Sequence, residues 1–284
     1  MGWVESLQKA LDFMEEHLLE DISIEEISKA ANSSSFHFQR TFSILTETSV
    51  GEYLRRRRLT LAAQDLCTSD IKIIDAAYKY GYDTPEAFAK AFRRQHGITP
   101  SEARKFIGKL KSYNRLVIQV NLKGAEPMQY TIVEKEAFQL IGVKKRFSLM
   151  NEENTKGIPL LWQQVNEDGT SDELAGLNNG AVQGLLGVCV AAPEENQMDY
   201  WVAAARDGDV PQKFLSYEVP SLKWAVFGVN GAMPNAIQNK WKEIFTEWFP
   251  SSGYQHAAGP ELEVYPAGDA YSEDYYSEIW IPVK

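Results

Sequence analysis

The sequence repeats itself at an interval of fifty residues, and a repeat of that length points to two copies of one structural unit. Ile24, Ile27 and Ala31 carry the apolar stripe of a short helix and correspond to Ile74, Ala77 and Gly81. Asn32, one of the few non-glycine residues that tolerates positive φ, supplies the first turn, and Gly81 supplies the second. Ser34 or Ser35 can cap the helix that follows; Ser34 corresponds to Thr84, which precedes Pro85 at a favourable first helical position. Phe38 and Phe42 then match Phe88 and Phe92, and the exits TSVGEYLR and ITPSEARK align Glu52 with Glu102. A short helix, a tight turn and a capped second helix make a helix-turn-helix. The spacing predicts two of them.

With the four phenylalanines in the core, the opposite faces follow. The first carries Phe36, Arg40 and Ser43, flanked by Gln39; the second carries Glu86, Lys90 and Arg93. Arg and Lys match guanine edges, Gln matches adenine, and an aromatic ring packs on a thymine methyl or a sugar. Either face alone is as readily an ordinary solvated helix surface. Two copies favour double-stranded DNA.

Between the units lies GEYLRRRRLTLA, four consecutive arginines in a chain of formal net charge −10. No Gly or Pro interrupts its helical pattern from Tyr53 to Leu66, and successive helical residues turn by about 100°. Arg55, Arg56, Arg57 and Arg58 therefore need at least two kinds of partner. The expectation is that some pair with acids on the first helix of the second unit, Asp75 foremost, while others face phosphate. Residues 1–112 hold 16 Lys/Arg and 16 Asp/Glu, so the excess acidity lies wholly in the remainder. Cys67 and Cys189 are too few for a disulfide framework or a metal site. No apolar run reaches membrane-spanning length, and the amphipathic start reads as a folded helix rather than a signal peptide. Cytoplasm is the expected location.

Past residue 112 the pattern changes, and GAEP marks a boundary near residue 126. Two strands (MQYTIVEKEAFQLIGVKKRF), a helix (GIPLLWQQVNED), four strands, a second helix (MPNAIQNKWKEIFTEWFP) and two closing strands follow. Strand-strand-helix-strand-strand occurs twice, which predicts an α+β domain with a pseudo-repeat. Neither a P-loop, a dinucleotide fingerprint nor a metal-ligand cluster occurs. In ELEVY and SEIWIP, alternation separates Leu262, Val264, Ile279 and Ile281 from Glu263, Tyr265, Glu278 and Trp280. If the aliphatic face packs on the helices, the other presents carboxylates beside aromatic rings, the ingredients of a pocket for an organic cation. A solvated outer sheet face has a similar composition.

The segments SFHFQRTF, YLRRRRLTLAAQDL and IIDAAYKYGYDTPEAFAKAFRRQHGITPSEAR resemble the DNA-binding domain of the AraC/XylS family of bacterial transcription regulators, over residues 3–108. That resemblance implies seven helices, with Phe36, Gln39 and Arg40 reading bases from the first unit and Thr84, Glu86 and Lys90 at the groove from the second. The run EVPSLKWAVFGVNG…WFPSSGY…GPELEVY…SEIWIPVK resembles the GyrI-like effector-binding domain over residues 127–284. It implies two similar halves forming a groove for lipophilic, often cationic ligands. Glu263 and Glu278 are the matching carboxylates, and Trp201 and Trp224 the wall residues. Reader first and sensor second is the Rob-type arrangement of the AraC family.

The expected fold is thus an all-α double helix-turn-helix domain over 1–110, a linker over 111–126 and an α+β domain over 127–284. The expected function is ligand-responsive transcription regulation, with DNA and a small-molecule effector as partners, RNA polymerase as a further one, and no membrane. Catalytic residues, metal and cofactor are not expected. Two alternatives stand beside it: a small-molecule hydrolase using Glu263 and Tyr265, and a protein-interaction module on a constitutive DNA-binding protein.

Overall fold

The computed structural model describes residues 3–118, 127–150 and 153–284. They form two compact units, one of Met1–Phe38 with Thr48–Leu122, the other of Gln39–Glu47 with Lys123–Lys284. Among the described residues no helix is long and apolar enough to cross a membrane.

Among the described residues seven helices precede the first strand: α1 (Trp3–Glu16), α2 (Ile24–Ala30), α3 (Ser35–Thr46), α4 (Val50–Thr68), α5 (Ile73–Lys79), α6 (Pro85–His96) and α7 (Pro100–Arg104). The local chemistry of the repeat is realised with one adjustment. Phe38, Phe42, Phe88 and Phe92 are buried, and Ser34 and Thr84 cap α3 and α6. Ser49 and Thr99 cap α4 and α7 at the same offset of fifty. The short helices align one residue earlier. Ser33 N–H bonds Ser28 O and Tyr82 N–H bonds Ala77 O, and the positive-φ residues are Asn32 and Gly81. Ile24 therefore corresponds to Ile73 and Ile27 to Ala76, while Ile74, expected in the apolar stripe, is 46% exposed. The second turn simply holds one more residue than the first.

The arginine run is a clamp within this unit. Arg55 and Arg56 both bond Glu52, the capping-position acid of their own helix. Arg57 donates through Nε and Nη2 to Glu15 of α1 (2.8 and 2.7 Å), which also accepts from the Tyr53 hydroxyl at 2.6 Å. Burial alone would raise the Glu15 carboxyl; the hydrogen bonds of Arg57 and Tyr53 outweigh it and hold the group below its ordinary range. Arg58 bonds the carbonyls of Leu18 and Glu20, past the end of α1. The expected Asp75 partner is replaced by Glu15 and by the orphan carbonyls after α1.

The expected linker begins as part of this unit. Lys111 N–H bonds His96 Nδ1, Tyr113 N–H bonds Thr60 Oγ1, and Leu116 N–H bonds the Tyr53 hydroxyl. Arg57 donates to Tyr113 O, and the Arg56 guanidinium lies 5.0 Å from the Tyr113 ring centroid. Residues 119–126 of that linker lie outside the described residues.

The second unit is built on one antiparallel sheet: β1 (Thr131–Lys135), β2 (Phe138–Ser148), β3 (Leu185–Ala191), β4 (Gln197–Ala205), β5 (Leu215–Val219), β6 (Leu222–Asn230), β7 (Glu261–Tyr265) and β8 (Tyr276–Pro282). Its order is β1-β6-β8-β7-β3-β4-β2-β5. Exchanging β1 with β5, β2 with β6, β3 with β7 and β4 with β8 reverses that order and leaves it unchanged, so the two halves are related by a pseudo-twofold at the β3–β7 seam. Helices α8 (Glu153–Glu167) and α9 (Thr170–Leu177) belong to the first half. To the second belongs α10 (Asn235–Glu243), which continues through a π-helical turn, Ile244–Trp248, into α11 (Phe249–Ser252). Helix α9, in TSDELAGL, is an addition to the expected elements.

Replacing Arg57 with Met is expected to destabilise the chain by about 2 kcal/mol, because it leaves a largely buried Glu15 short of its main partner; urea denaturation followed by helical circular dichroism measures it. Burial lowers the basicity of His96, whose Nδ1 accepts from Lys111 and whose Nε2 faces Leu59 O at 3.2 Å. The folded state thus favours the neutral ring. Stability should be full above the unfolded imidazole pKa of about 6.5 and fall as pH drops below it. Melting at graded pH, with a smaller decline in His96→Gln, is the check.

Candidate functional site

The β3–β7 seam brings Gly187 opposite Glu263, Leu185 opposite Tyr265 and Cys189 opposite Glu261. Directly paired residues share a face. Tyr200 of β4 pairs with Cys189 and joins them on the side of α8 and α10. Trp241 of α10 donates its indole N–H to Glu263 Oε1 at 2.7 Å, and the Tyr265 hydroxyl donates to Glu263 Oε2 at 3.0 Å. From α8, Trp162 donates to the Tyr200 hydroxyl at 2.8 Å and stands edge-on to Tyr265, centroids 5.3 Å apart. One half-buried carboxylate is thus held by an indole and a phenol, with a second indole and phenol beside it. Among the described residues Glu263 has no Lys or Arg at ion-pair distance.

Burial first, then the Glu263 carboxylate, push the Tyr200 and Tyr265 phenols well above their ordinary range. Burial likewise pushes the Cys189 thiol up to about 12. All three groups therefore stay protonated; Tyr265 donates to Glu263, while the Tyr200 hydroxyl accepts from Trp162. The groove in front of them, about 1550 Å³, is lined by Trp162, Tyr200, Ile237, Glu263 and Tyr265 and extends past Tyr275 to Glu278 and Trp280.

The strand pairing alters the expected arrangement. Glu263 pairs with Ile279, whereas Glu278 pairs with Val264 and Trp280 with Leu262. Glu278 and Trp280 consequently lie on the opposite face of the sheet from Glu263 and Tyr265. The alternation within each strand is as expected; the phase between the strands is inverted. Trp201 and Trp224 are also on that far face. They are buried with Leu140, Leu186, Leu262 and Trp280 in a core drawn from the strands and do not line the groove. The helices cover the face bearing Glu263, and the far face curls on itself.

In the first unit, α6 exposes Glu86, Lys90 and Arg93 along one side while Phe88 and Phe92 point inward. Thr84 is exposed at its start, its hydroxyl accepting from Ala87 N–H. On α3, Phe36 is half-buried and Gln39 buried, and the Arg40 side chain is largely buried, its Nε donating to the buried carboxylate of Glu261; Gln39 and Arg40 fall in the stretch that groups with the second unit. Sequence reasoning missed Trp162, Tyr200, Trp241 and Gly187. The one signal for the tryptophans was their place in the two predicted helices, and nothing in the sequence paired Gly187 with Glu263.

The sequence profile of the integron-associated effector binding protein family, Cass2, matches residues 131–283, and that of a helix-turn-helix domain matches 27–105. Regulatory protein SoxS of Salmonella typhimurium is 35% identical over 104 residues, 37% of this chain and 97% of SoxS. Right origin-binding protein of Escherichia coli is 29% identical over 149 residues, 52% of this chain; the match spans only 50% of that protein's length. A solved structure of SAV2435 bound to tetraphenylphosphonium aligns with TM-score 0.51 at 30% identity, covering 55% of this chain and 94% of that one.

A Cβ at Gly187 would lie 2.4 Å from the Tyr200 hydroxyl and 3.1 Å from Glu263 Oε2. Gly187→Ala should therefore cost about 1–3 kcal/mol through forced displacement. Tyr200→Phe removes the atom it strikes, so the double variant should recover part of that loss. A double-mutant cycle in chemical denaturation reads the coupling.

Proposed function

Since this chain belongs to the integron-associated effector binding protein family and carries a helix-turn-helix domain ahead of that module, we propose that it is a ligand-responsive transcription regulator whose groove takes a lipophilic cation. The observation that carries the reading is Glu263. It is a carboxylate set among aromatic rings, hydrogen-bonded by Trp241 and Tyr265 and without an ion-pair partner among the described residues. Such a group attracts a cation by charge, and the surrounding rings add cation–π attraction while accommodating apolar bulk. Neutral aryl compounds gain only the second part. Tetraphenylphosphonium on SAV2435 supports the same ligand class here.

In this reading the second unit is a sensor without turnover. Tyr200, Tyr265 and Cys189 are all held protonated and so are poor nucleophiles, and Tyr265 positions Glu263 through its hydroxyl. DNA is bound through the two helix-turn-helix units. Phe36, Gln39 and Arg40 read base edges from α3, which requires Gln39 to leave its buried position and Arg40 to release Glu261. Thr84, Glu86, Lys90 and Arg93 meet the groove and phosphates from α6. RNA polymerase is the third partner of such a regulator.

Titration of the full chain with tetraphenylphosphonium and with neutral triphenylphosphine oxide, followed by tryptophan fluorescence, tests the groove. Saturable binding is expected for the cation, about ten- to hundredfold weaker in Glu263→Gln, with little response to the neutral compound. Equal binding of both compounds, indifferent to Glu263, overturns the cation reading. For DNA, Lys90→Ala and Arg93→Ala should each reduce the slope of log affinity against log salt by about one where the side chain meets phosphate.

A further inference from the structure

The groove does not end at Glu263. It continues around the ends of β7 and β8, past Pro266 and Tyr275, to the far face of the sheet, where Glu278 forms a second and separate polar centre. Glu278 accepts from Trp280 Nε1 at 2.7 Å and from the Tyr276 hydroxyl at 2.8 Å. Like Glu263 it is half-buried, is held by one indole and one phenol, and has no Lys or Arg at ion-pair distance among the described residues. Trp280 stands against Trp224, centroids 6.0 Å apart, which fixes its ring.

A cation of the chain's own already occupies the face of that ring. Lys135, on the edge strand β1, places its ammonium 5.8 Å from the Trp280 centroid and donates to Ala181 O at 3.2 Å. Lys135 also lines the groove and forms no ion pair among the described residues. The face of Trp280 is thus already used by an ammonium group, on a flexible side chain tethered by a single neutral hydrogen bond.

We propose that the groove holds two cation subsites, one at Glu263 and one at Glu278 over Trp280, and that it favours an elongated lipophilic dication whose second charge takes the place of the Lys135 ammonium. The proposal rests on the cation reading of the Glu263 end. The subsites lie on opposite faces of adjacent strands, Glu278 pairing with Val264 next to Glu263. One side-chain layer is about half of the roughly 10 Å between packed sheets, so the two charges are on the order of 10 Å apart. A ligand joining both centres makes the second contact intramolecularly, which multiplies affinity beyond that of either contact alone.

The test uses the full chain in isothermal titration calorimetry with hexyltriphenylphosphonium as monocation and a series of bis(triphenylphosphonium) alkanes, tetramethylene to decamethylene, as dications. The best dication is expected to bind about 10- to 100-fold tighter than the monocation. Glu278→Gln should abolish that advantage, whereas Glu263→Gln should weaken the monocation and the dication alike. Lys135→Met should increase the advantage, a gain that a misfolded variant cannot produce. If the monocation binds but no dication binds tighter, or if the advantage survives Glu278→Gln, the second subsite is overturned. If the monocation itself fails to bind, the cation reading of Glu263 falls and the second subsite with it.

Discussion

The second unit depends on the pairing of β3 with β7. These are the central strands of the sheet, one from each half, and their register sets a residue without a side chain opposite a carboxylate. Gly187 leaves the volume that the Tyr200 hydroxyl and Glu263 share. A register slip of one residue would turn Glu263 into the strand-built core and bring Leu262 or Val264 under the helices. The helices then complete the arrangement: α8 and α10 each lower one tryptophan toward the seam, Trp162 onto Tyr200 and Trp241 onto Glu263. The pseudo-twofold thus creates a site that neither half possesses, since each contributes one strand and one indole.

The first unit solves a different problem with charge. A unit built of helices leaves many unpaired carbonyls and amides at their ends. Caps satisfy the amides at Ser34, Ser49, Thr84 and Thr99, and Arg58 of α4 satisfies carbonyls beyond α1. Four adjacent arginines on one helix can serve this purpose because they radiate in different directions: two to Glu52, one to Glu15 and one to Leu18 and Glu20. What reads in sequence as a basic patch is largely internal wiring, whereas Lys90, Arg93 and Arg94 of α6 are exposed.

The legibility of the fold followed the range of the interactions that determine it. Caps, turns and phenylalanine spacing are local, and they placed the helices of the first unit from sequence. The one-residue slip that exposes Ile74 escaped because the two turns differ in length, and both alignments are plausible until Asn32 and Gly81 are seen at positive φ. Alternation within β7 and β8 was legible; their relative phase was not, because it is set by which residues pair across strands. For that reason Glu263 and Glu278 were expected on one face. Trp201 and Trp224 show the same limit: a bulky aromatic in a strand is equally at home in a wall or a core, and only the curl of the sheet decides.

The exchange of outer strands between the halves bears on how the chain reaches this state. Thr131 must find Val226, and Phe138 must find Val219, before either edge of the sheet is closed. Those pairings enclose most of the intervening chain in loops, so their entropic cost falls early and their reward late. In the helical unit, pairings such as Glu15 with Arg57 and Asp65 with Lys79 span shorter stretches. During synthesis the reader can be formed while the sensor still waits for its last strand, β8, which supplies the partner for both β6 and β7.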